Sequence, residues 1–297
     1  MKISFALVDV FAERPLTGNP LAVIPDAARL DEEAMRHIAA ELNQAETTFL
    51  LPARDASADC RLRSFTASGQ EVFGAGHNSL GAWWWLAESG ALQLHEGQNL
   101  FTQEIGERLL PVEIECAGGR VVSVGLTQVL PTFGNVFEDV GALAAALRLA
   151  KEDFMPERFP CQVVSTGAAH LMVAIRNREA VKRARPDAAQ LAKILQAAGG
   201  QGCYLFCLEP VLPTSMAHAR FFNPTVGIVE DSATGSAAGP LACLLVARGA
   251  AKDGATVTIE QGYSMGRASL LHIYVNDGLV RLTGHCITVG EGNLRVR

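Results

Sequence analysis

Phe73-Gly74-Ala75-Gly76-His77-Asn78-Ser79-Leu80-Gly81 decides the fold, because the chain carries a second version of it as Ser232-Ala233-Thr234-Gly235-Ser236-Ala237-Ala238-Gly239-Pro240. The echo extends outward from there. Gly18-Asn19-Pro20-Leu21-Ala22-Val23-Ile24 returns as Gly167-Ala168-Ala169-His170-Leu171-Met172-Val173, and Arg63-Ser64-Phe65-Thr66 returns as Arg220-Phe221-Phe222-Asn223. The offsets stay at about 150 to 160 residues, half of a chain of 297, which reads as two domains of one ancestral type. The boundaries expected are 1–128 and 129–297, with a return of the last strand to the first domain left open. Duplicated domains can face each other across a cleft, and residues that differ between the copies there become candidates for chemistry.

Each half follows a similar order. A strand, a glycine turn and a second strand come first: Phe5 to Phe11 then Leu21 to Ile24, and Gln162 to Ser165 then Leu171 to Ile175. An amphipathic helix follows, opened by Asp31-Glu32-Glu33 in one half and Pro186-Asp187 in the other, where negative charge suits the start of a helix. Two strands then lead into the glycine turn. After it, Leu80-Gly81-Ala82-Trp83-Trp84-Trp85-Leu86-Ala87 and Ala237 to Ala247 are apolar all round, so each is expected to be buried on every face. In a strand-rich domain this predicts an α+β fold: two duplicated domains, each a curled mixed or antiparallel sheet around a central helix. Gly118-Gly119 and Asp277-Gly278 are hairpin turn signals.

Composition narrows the function classes. Apolar residues make up 49%, charged residues 19%, and the net charge is -6, as in a globular protein with apolar elements and no nucleic-acid footprint. The short cluster Arg176, Arg178, Lys182, Arg183 and Arg185 reads as a solvated face. The first residues read as a strand rather than a signal peptide, and no apolar run is long enough to span a membrane. Seven cysteines without a framework spacing predict reduced thiols in a cytoplasmic protein. No metal-ligand spacing is found among the histidines or around Cys203 and Cys207. The glycine turn is not a dinucleotide fingerprint, since its third glycine is misplaced at Gly81 and it lies far from a first βαβ unit.

The chemistry is expected at the two glycine turns. Each opens a buried helix, whose first turn presents unpaired N–H groups and the positive end of a dipole, a ready site for a substrate carboxylate. Gly76, His77 and Asn78 would contribute from one copy, and Gly235 and Ser236 from the other. The copies differ where it matters. His77 is matched by Ser236, Asp231 by the apolar Val72, and Glu46 has no acid at Gln201-Gly202-Cys203. Two carboxylates and an imidazole around an anion pocket suffice for proton transfer. Taken singly, Glu46 reads as an ordinary strand-start carboxylate and Asp231 as a turn residue, while His77 reads equally as a polar helix start or as a catalytic group. Trp83, Trp84 and Trp85 read as core.

At these residues the chain resembles the phenazine-biosynthesis PhzF-like isomerase family. The resemblance is carried in order by Val8-Asp9-Val10-Phe11, Gly18 to Val23, Ala45-Glu46-Thr47-Thr48-Phe49, Phe65-Thr66 with Ala75-Gly76-His77, Glu230 to Pro240, and Gln261-Gly262-Tyr263-Ser264-Met265-Gly266-Arg267. It implies the diaminopimelate-epimerase-like fold, with Glu46 as catalytic acid/base, His77 and Asp231 as its supports or substrate contacts, and Gly235 and Ser236 lining the pocket. It also implies an enzyme without metal or organic cofactor, typically a homodimer, acting on a small carboxylate such as trans-2,3-dihydro-3-hydroxyanthranilate. Two departures stand out. Ala75 and Thr234 occupy the places where related epimerases carry paired cysteines, and Ala45 and Asn78 stand where the family often has serine and proline. The expected function is a cofactor-independent isomerase. The alternatives are an amino or hydroxy acid racemase or epimerase, and a non-catalytic relative that binds a small acid or a protein.

Overall fold

A computed structural model describes residues 1–296. The chain divides into two units, one formed by Met1–Thr127 together with the chain from Thr283 onward, the other by Gln128–Leu282.

In the first unit, β1 (Lys2–Val10) pairs antiparallel with β2 (Asn19–Ile24) on one side. After α1 (Glu32–Leu42), β3 (Glu46–Leu51) lies parallel to β2 and antiparallel to β4 (Cys60–Thr66). β4 also pairs antiparallel with the short β5 (Glu71–Val72). α2 (His77–Glu88) follows, and then β6 (Gly97–Ile105) lies parallel to β4. β7 (Arg108–Ala117) and β8 (Arg120–Gln128) complete an antiparallel meander through the Gly118-Gly119 turn, whose φ values of 60° and 73° only glycine adopts without strain.

Alternation along β3 sorts the two faces of this sheet. Phe49 and Leu51 join Ile24 and Phe65 in a cluster with Met35, Ile38 and Ala39 of α1. α1 is held at its start by Asp31, whose side chain accepts from Ala34 N at 2.8 Å. The opposite face carries α2. A Cβ on Gly81 would stand 2.5 Å from Leu21 Cδ2 and 2.7 Å from Val10 Cγ2, so the helix lies against the strands with glycine at the crossing. Trp83 and Trp84 are buried, while Trp85, Leu86 and Ala87 are only half-buried. The expectation of burial on every face therefore holds for the first two turns of α2 and lapses in the last.

The second unit opens with β9 (Thr132–Val136), α3 (Val140–Leu147) and β10 (Gln162–Ser165), the two strands being antiparallel. β11 (Ala169–Ala174) pairs antiparallel with β10. After α4 (Arg178–Arg183) and α5 (Ala188–Ala198), β12 (Gly202–Cys207) lies parallel to β11 and antiparallel to β13 (Ala217–Asn223). β13 pairs antiparallel with β14 (Ile228–Asp231), and α6 (Gly235–Ala247) follows. β15 (Ala255–Gln261) lies parallel to β13 and antiparallel to β16 (Ser269–Asn276), and Asp277-Gly278 turns the chain into β17 (Leu279–Gly284). The order of pairings from β11 to β15 repeats that from β2 to β6. One face packs on α3, α4 and α5 through Leu143, Val181, Leu191, Leu195, Leu205 and Phe222. The other carries α6, whose residues from Gly235 to Leu245 are buried except Ser236.

The last strand, β18 (Cys286–Arg295), pairs antiparallel along the whole of β1. Residues from Thr283 onward thus belong with the first unit. β5, β6, β9, β14, α3 and α4 go beyond the sequence expectation. α3, α4 and β9 are short, and their helices are set by caps rather than by a long apolar period: Asp139 accepts from Ala142 N at 2.9 Å and Asn177 from Ala180 N at 2.9 Å.

Candidate active site

Glu46 is the first residue of β3, where it pairs with Leu21 and Thr66. It shares a strand face with Thr48, two residues on. Thr48 Oγ1 lies 2.9 Å from Ser64 Oγ and 3.5 Å from the carbonyl of Asn78 in the first turn of α2. Leu21, beside Glu46, is the residue that meets Gly81 of the same helix. Glu46 is therefore on the sheet face that carries α2, at the end of β3 where that helix begins. It is half-buried.

The turn before α2 is built by Asn78. Its Oδ1 accepts from Gly76 N at 2.8 Å, and its Nδ2 donates to Ser64 Oγ and to Gly74 O, both at 3.0 Å. The Asn78 side chain, 2% exposed, is thereby engaged within the turn. What it can offer a ligand is its backbone N–H, one of the first-turn donors that the helix leaves free. Gly76 caps the helix without a side chain, and a Cβ there would meet nothing closer than Asn78 Oδ1 at 3.7 Å. His77 is the first residue of α2. Its Nε2 is buried with no hydrogen-bond partner among the described residues. Burial alone pushes its pKa down from 6.5 to about 4, so the ring is neutral at neutral pH.

In the second unit, Asp231 ends β14 and Thr234 caps α6. Thr234 Oγ1 donates to Asp231 Oδ2 at 2.5 Å. Gln261, at the end of β15, holds this pair in place. Its Nε2 donates to Asp231 O at 2.8 Å and to Thr234 Oγ1 at 3.0 Å, and its Oε1 accepts from Thr234 N at 3.2 Å and from Tyr204 OH at 2.8 Å. Every hydrogen-bonding position of the buried Gln261 amide is thus used, which fixes its orientation. Burial, followed by the charge of Asp231, drives the Tyr204 phenol well above its usual range, so it stays a donor. Glu230, one residue before Asp231, points the other way. It takes a bidentate ion pair from Arg220, at 2.9 and 2.7 Å.

Gly235 and Ser236 open α6. Gln128 Nε2 donates to Gly235 O at 2.9 Å, and Ser236 Oγ lies 3.2 Å from His170 Nε2. Sequence reasoning missed Thr234, Gln261, Tyr204 and His170. Gln261 lay within a quoted motif without a role, and strand parity was the available signal for Tyr204. Among the described residues, no group of three or more His, Cys, Asp or Glu could hold a metal ion. The cysteines with a resolved shift are all raised, first by burial, with Cys60 and Cys243 at about 11. None has the depressed pKa of a working thiolate.

The profile of the family described as "Phenazine biosynthesis-like protein" matches residues 8–292. The chain belongs to that family. It is 32% identical over 295 residues to the trans-2,3-dihydro-3-hydroxyanthranilate isomerase of Pseudomonas chlororaphis, covering 98% of each chain. Among solved structures, a PhzF-family phenazine biosynthesis protein of Bacillus anthracis superposes with a TM-score of 0.90 over 100% of both chains at 26% identity. A protein of Pseudomonas aeruginosa described as a predicted epimerase reaches 0.84 at 34% identity, over 99% of this chain and 100% of that one. The phenazine biosynthesis-like family is an isomerase family, and the α+β architecture and the isomerase class expected from the sequence both agree with these relatives.

Proposed function

We propose that this protein moves a carbon-bound proton within a small unsaturated carboxylate, without a cofactor, in the manner of trans-2,3-dihydro-3-hydroxyanthranilate isomerase. The observation that carries the reading is the pairing of Glu46 with the start of α2. A half-buried carboxylate stands on the helix-bearing face of the sheet, and the first residue of that helix is a neutral imidazole whose buried Nε2 has no partner among the described residues. A carboxylate takes a proton from carbon, and a neutral imidazole donates or accepts a hydrogen bond as the charge on the substrate shifts.

Glu46 as carboxylate removes the proton from a carbon beside the conjugated system. The electron pair of that C–H bond enters the π system, the double bond moves, and the carboxylic acid so formed returns the proton at the far end. Proton and electrons balance within the substrate. In the first unit His77 hydrogen-bonds polar groups of the substrate and the N–H groups at Gly76 to Asn78 hold carboxylate charge; in the second, Asp231 and the N–H groups at Gly235 and Ser236 are the corresponding candidates. Asp231, fixed by Thr234, has its donor already placed and serves better as a contact than as a mobile base. The second reading is a racemase or epimerase, favoured by the predicted-epimerase relative. It needs two opposed acid/base groups, and Ala75 and Thr234 supply no thiols.

The homodimer and the cytoplasmic setting belong to the same proposal. Val129, Leu130 and Phe133 are exposed apolar residues suited to a subunit contact, and all seven cysteines are free.

Glu46→Gln keeps the shape and loses the base. With trans-2,3-dihydro-3-hydroxyanthranilate as substrate, kcat is expected to fall by at least about 10²- to 10⁴-fold, the usual worth of a positioned acid/base, with little change in thermal midpoint. A variant that turns over at the parental rate removes Glu46 from the mechanism.

A further inference from the structure

The second unit has its own polar pair at the place where Glu46 stands in the first. In the first unit Glu46 on β3 lies in register with Leu21 on β2, and in the second Gly202 on β12 lies in register with His170 on β11. The carboxylate is gone from the central strand and an imidazole stands one strand over. The glycine makes room for this. A Cβ at Gly202 would stand 2.4 Å from Cζ of Phe221 and 3.1 Å from Nδ1 of His170. The Phe221 ring meets His170 edge-on, with centroids 5.0 Å apart and planes at 87°. His170 is 3% exposed, and its Nε2 reaches Ser236 Oγ in the first turn of α6 at 3.2 Å.

The direction of that hydrogen bond follows from the other nitrogen. Burial holds the His170 pKa down to about 4, so the ring is neutral and carries one N–H. Nδ1 is buried with no hydrogen-bond partner among the described residues. A buried N–H left without an acceptor is the rarer and costlier defect, so the network assigns the proton to Nε2. Nε2–H then donates to Ser236 Oγ. That is the only hydrogen bond of the Ser236 side chain among the described residues, so the hydroxyl proton is left to point elsewhere. The half-exposed Ser236 sits where the first-turn N–H groups of α6 also point outward.

We infer that His170 is a positioning residue, which donates to Ser236 Oγ and so turns the serine hydroxyl outward as a donor to the substrate carboxylate at the start of α6. The inference rests on reading that first turn as the carboxylate contact. His170 does not touch the substrate. It removes the alternative in which the serine hydroxyl spends its proton on His170 Nε2, and its rigid setting between Phe221 and Gly202 lets the hydroxyl bind charge without first being ordered.

The test is steady-state kinetics with trans-2,3-dihydro-3-hydroxyanthranilate, with thermal midpoints measured alongside. His170→Leu installs the residue that the first unit has at the matching position, Leu21. It is expected to raise KM by about five- to tenfold, the worth of one oriented hydrogen bond, with kcat within about twofold of the parent. His170→Gln, which keeps an N–H near the position of Nε2, is expected to restore most of the affinity. Ser236→Ala is expected to raise KM at least as far, and adding His170→Leu to it to change nothing more. An unchanged KM in His170→Leu alongside a raised KM in Ser236→Ala overturns the positioning role and leaves the carboxylate contact standing. So do additive effects, or a His170→Gln variant no better than His170→Leu. An unchanged KM in Ser236→Ala overturns both.

Discussion

At the scale of single residues, the site depends on groups whose partners were chosen by folding. His77 is the clearest case for pH. Its unfolded-state pKa is near 6.5 and its folded-state pKa about 4, because burial disfavours the charged ring. Between those values the unfolded chain binds more protons than the folded one, so stability falls as pH drops from about 6.5 to about 4 and levels off below. His170 contributes in the same direction. His77→Gln is therefore expected to make the acid-side fall of the thermal midpoint shallower without abolishing it, and identical pH profiles for variant and parent would show that His77 is not buried in this way. Asn78 shows the limit of reading residues one at a time. Its backbone N–H stays the proposed ligand contact, while its side-chain amide closes the turn through Ser64 and Gly74. Ser64 arrives only because β4 pairs with β3, which no local pattern reveals. Glu46 was legible as a difference between the copies, while its orientation needed the parity of β3.

At the scale of elements, the repeated Arg63-Ser64-Phe65 and Arg220-Phe221-Phe222 turn out to be a fastening and not part of the chemistry. Arg63 pairs with Glu71 at 2.7 Å and stands over Phe65. Arg220 pairs with Glu230 at 2.7 Å and stands over Phe222. The second copy does more. Arg220 Nη1 also donates to Val181 O and Ala184 O, both at 2.9 Å, tying the end of α4 to β13. Its side chain is 6% exposed against 23% for Arg63. Arg220→Leu leaves Glu230 charged, poorly solvated and unpaired and frees the end of α4, so a loss of about 3–5 kcal/mol is expected in denaturant unfolding. Arg63→Leu is expected to cost clearly less, since Arg63 is itself more exposed and its second partner, Glu32, is well exposed to solvent, and equal losses would contradict the distinction. The long amphipathic helices α1 and α5 were legible from their apolar stripes. The short α3 and α4 were not, because their limits are set by Asp139 and Asn177 caps and by packing on β11 to β13 rather than by a period long enough to detect.

At the scale of the whole molecule, the internal echo was the legible fact, and the structure gives it physical content. The order of pairings β2 to β6 recurs as β11 to β15, with a glycine turn and an apolar helix at the same point of each. The first unit is completed by β18, returned to β1 from the far end of the chain, a closure that the sequence left open. Against this common frame the copies differ at a few residues: Glu46 against Gly202, His77 against Ser236, Leu21 against His170. Glu46, the first of these, is the residue proposed to transfer the proton. The most direct test is to run the reaction with trans-2,3-dihydro-3-hydroxyanthranilate in D₂O and read the product by NMR. A migrated double bond, absent in Glu46→Gln, is the predicted result, with deuterium at the receiving carbon to the extent that the Glu46 acid exchanges with solvent before it returns the proton. Deuterium at an unshifted carbon with loss of optical activity, or no exchange and no migration at all, would contradict it.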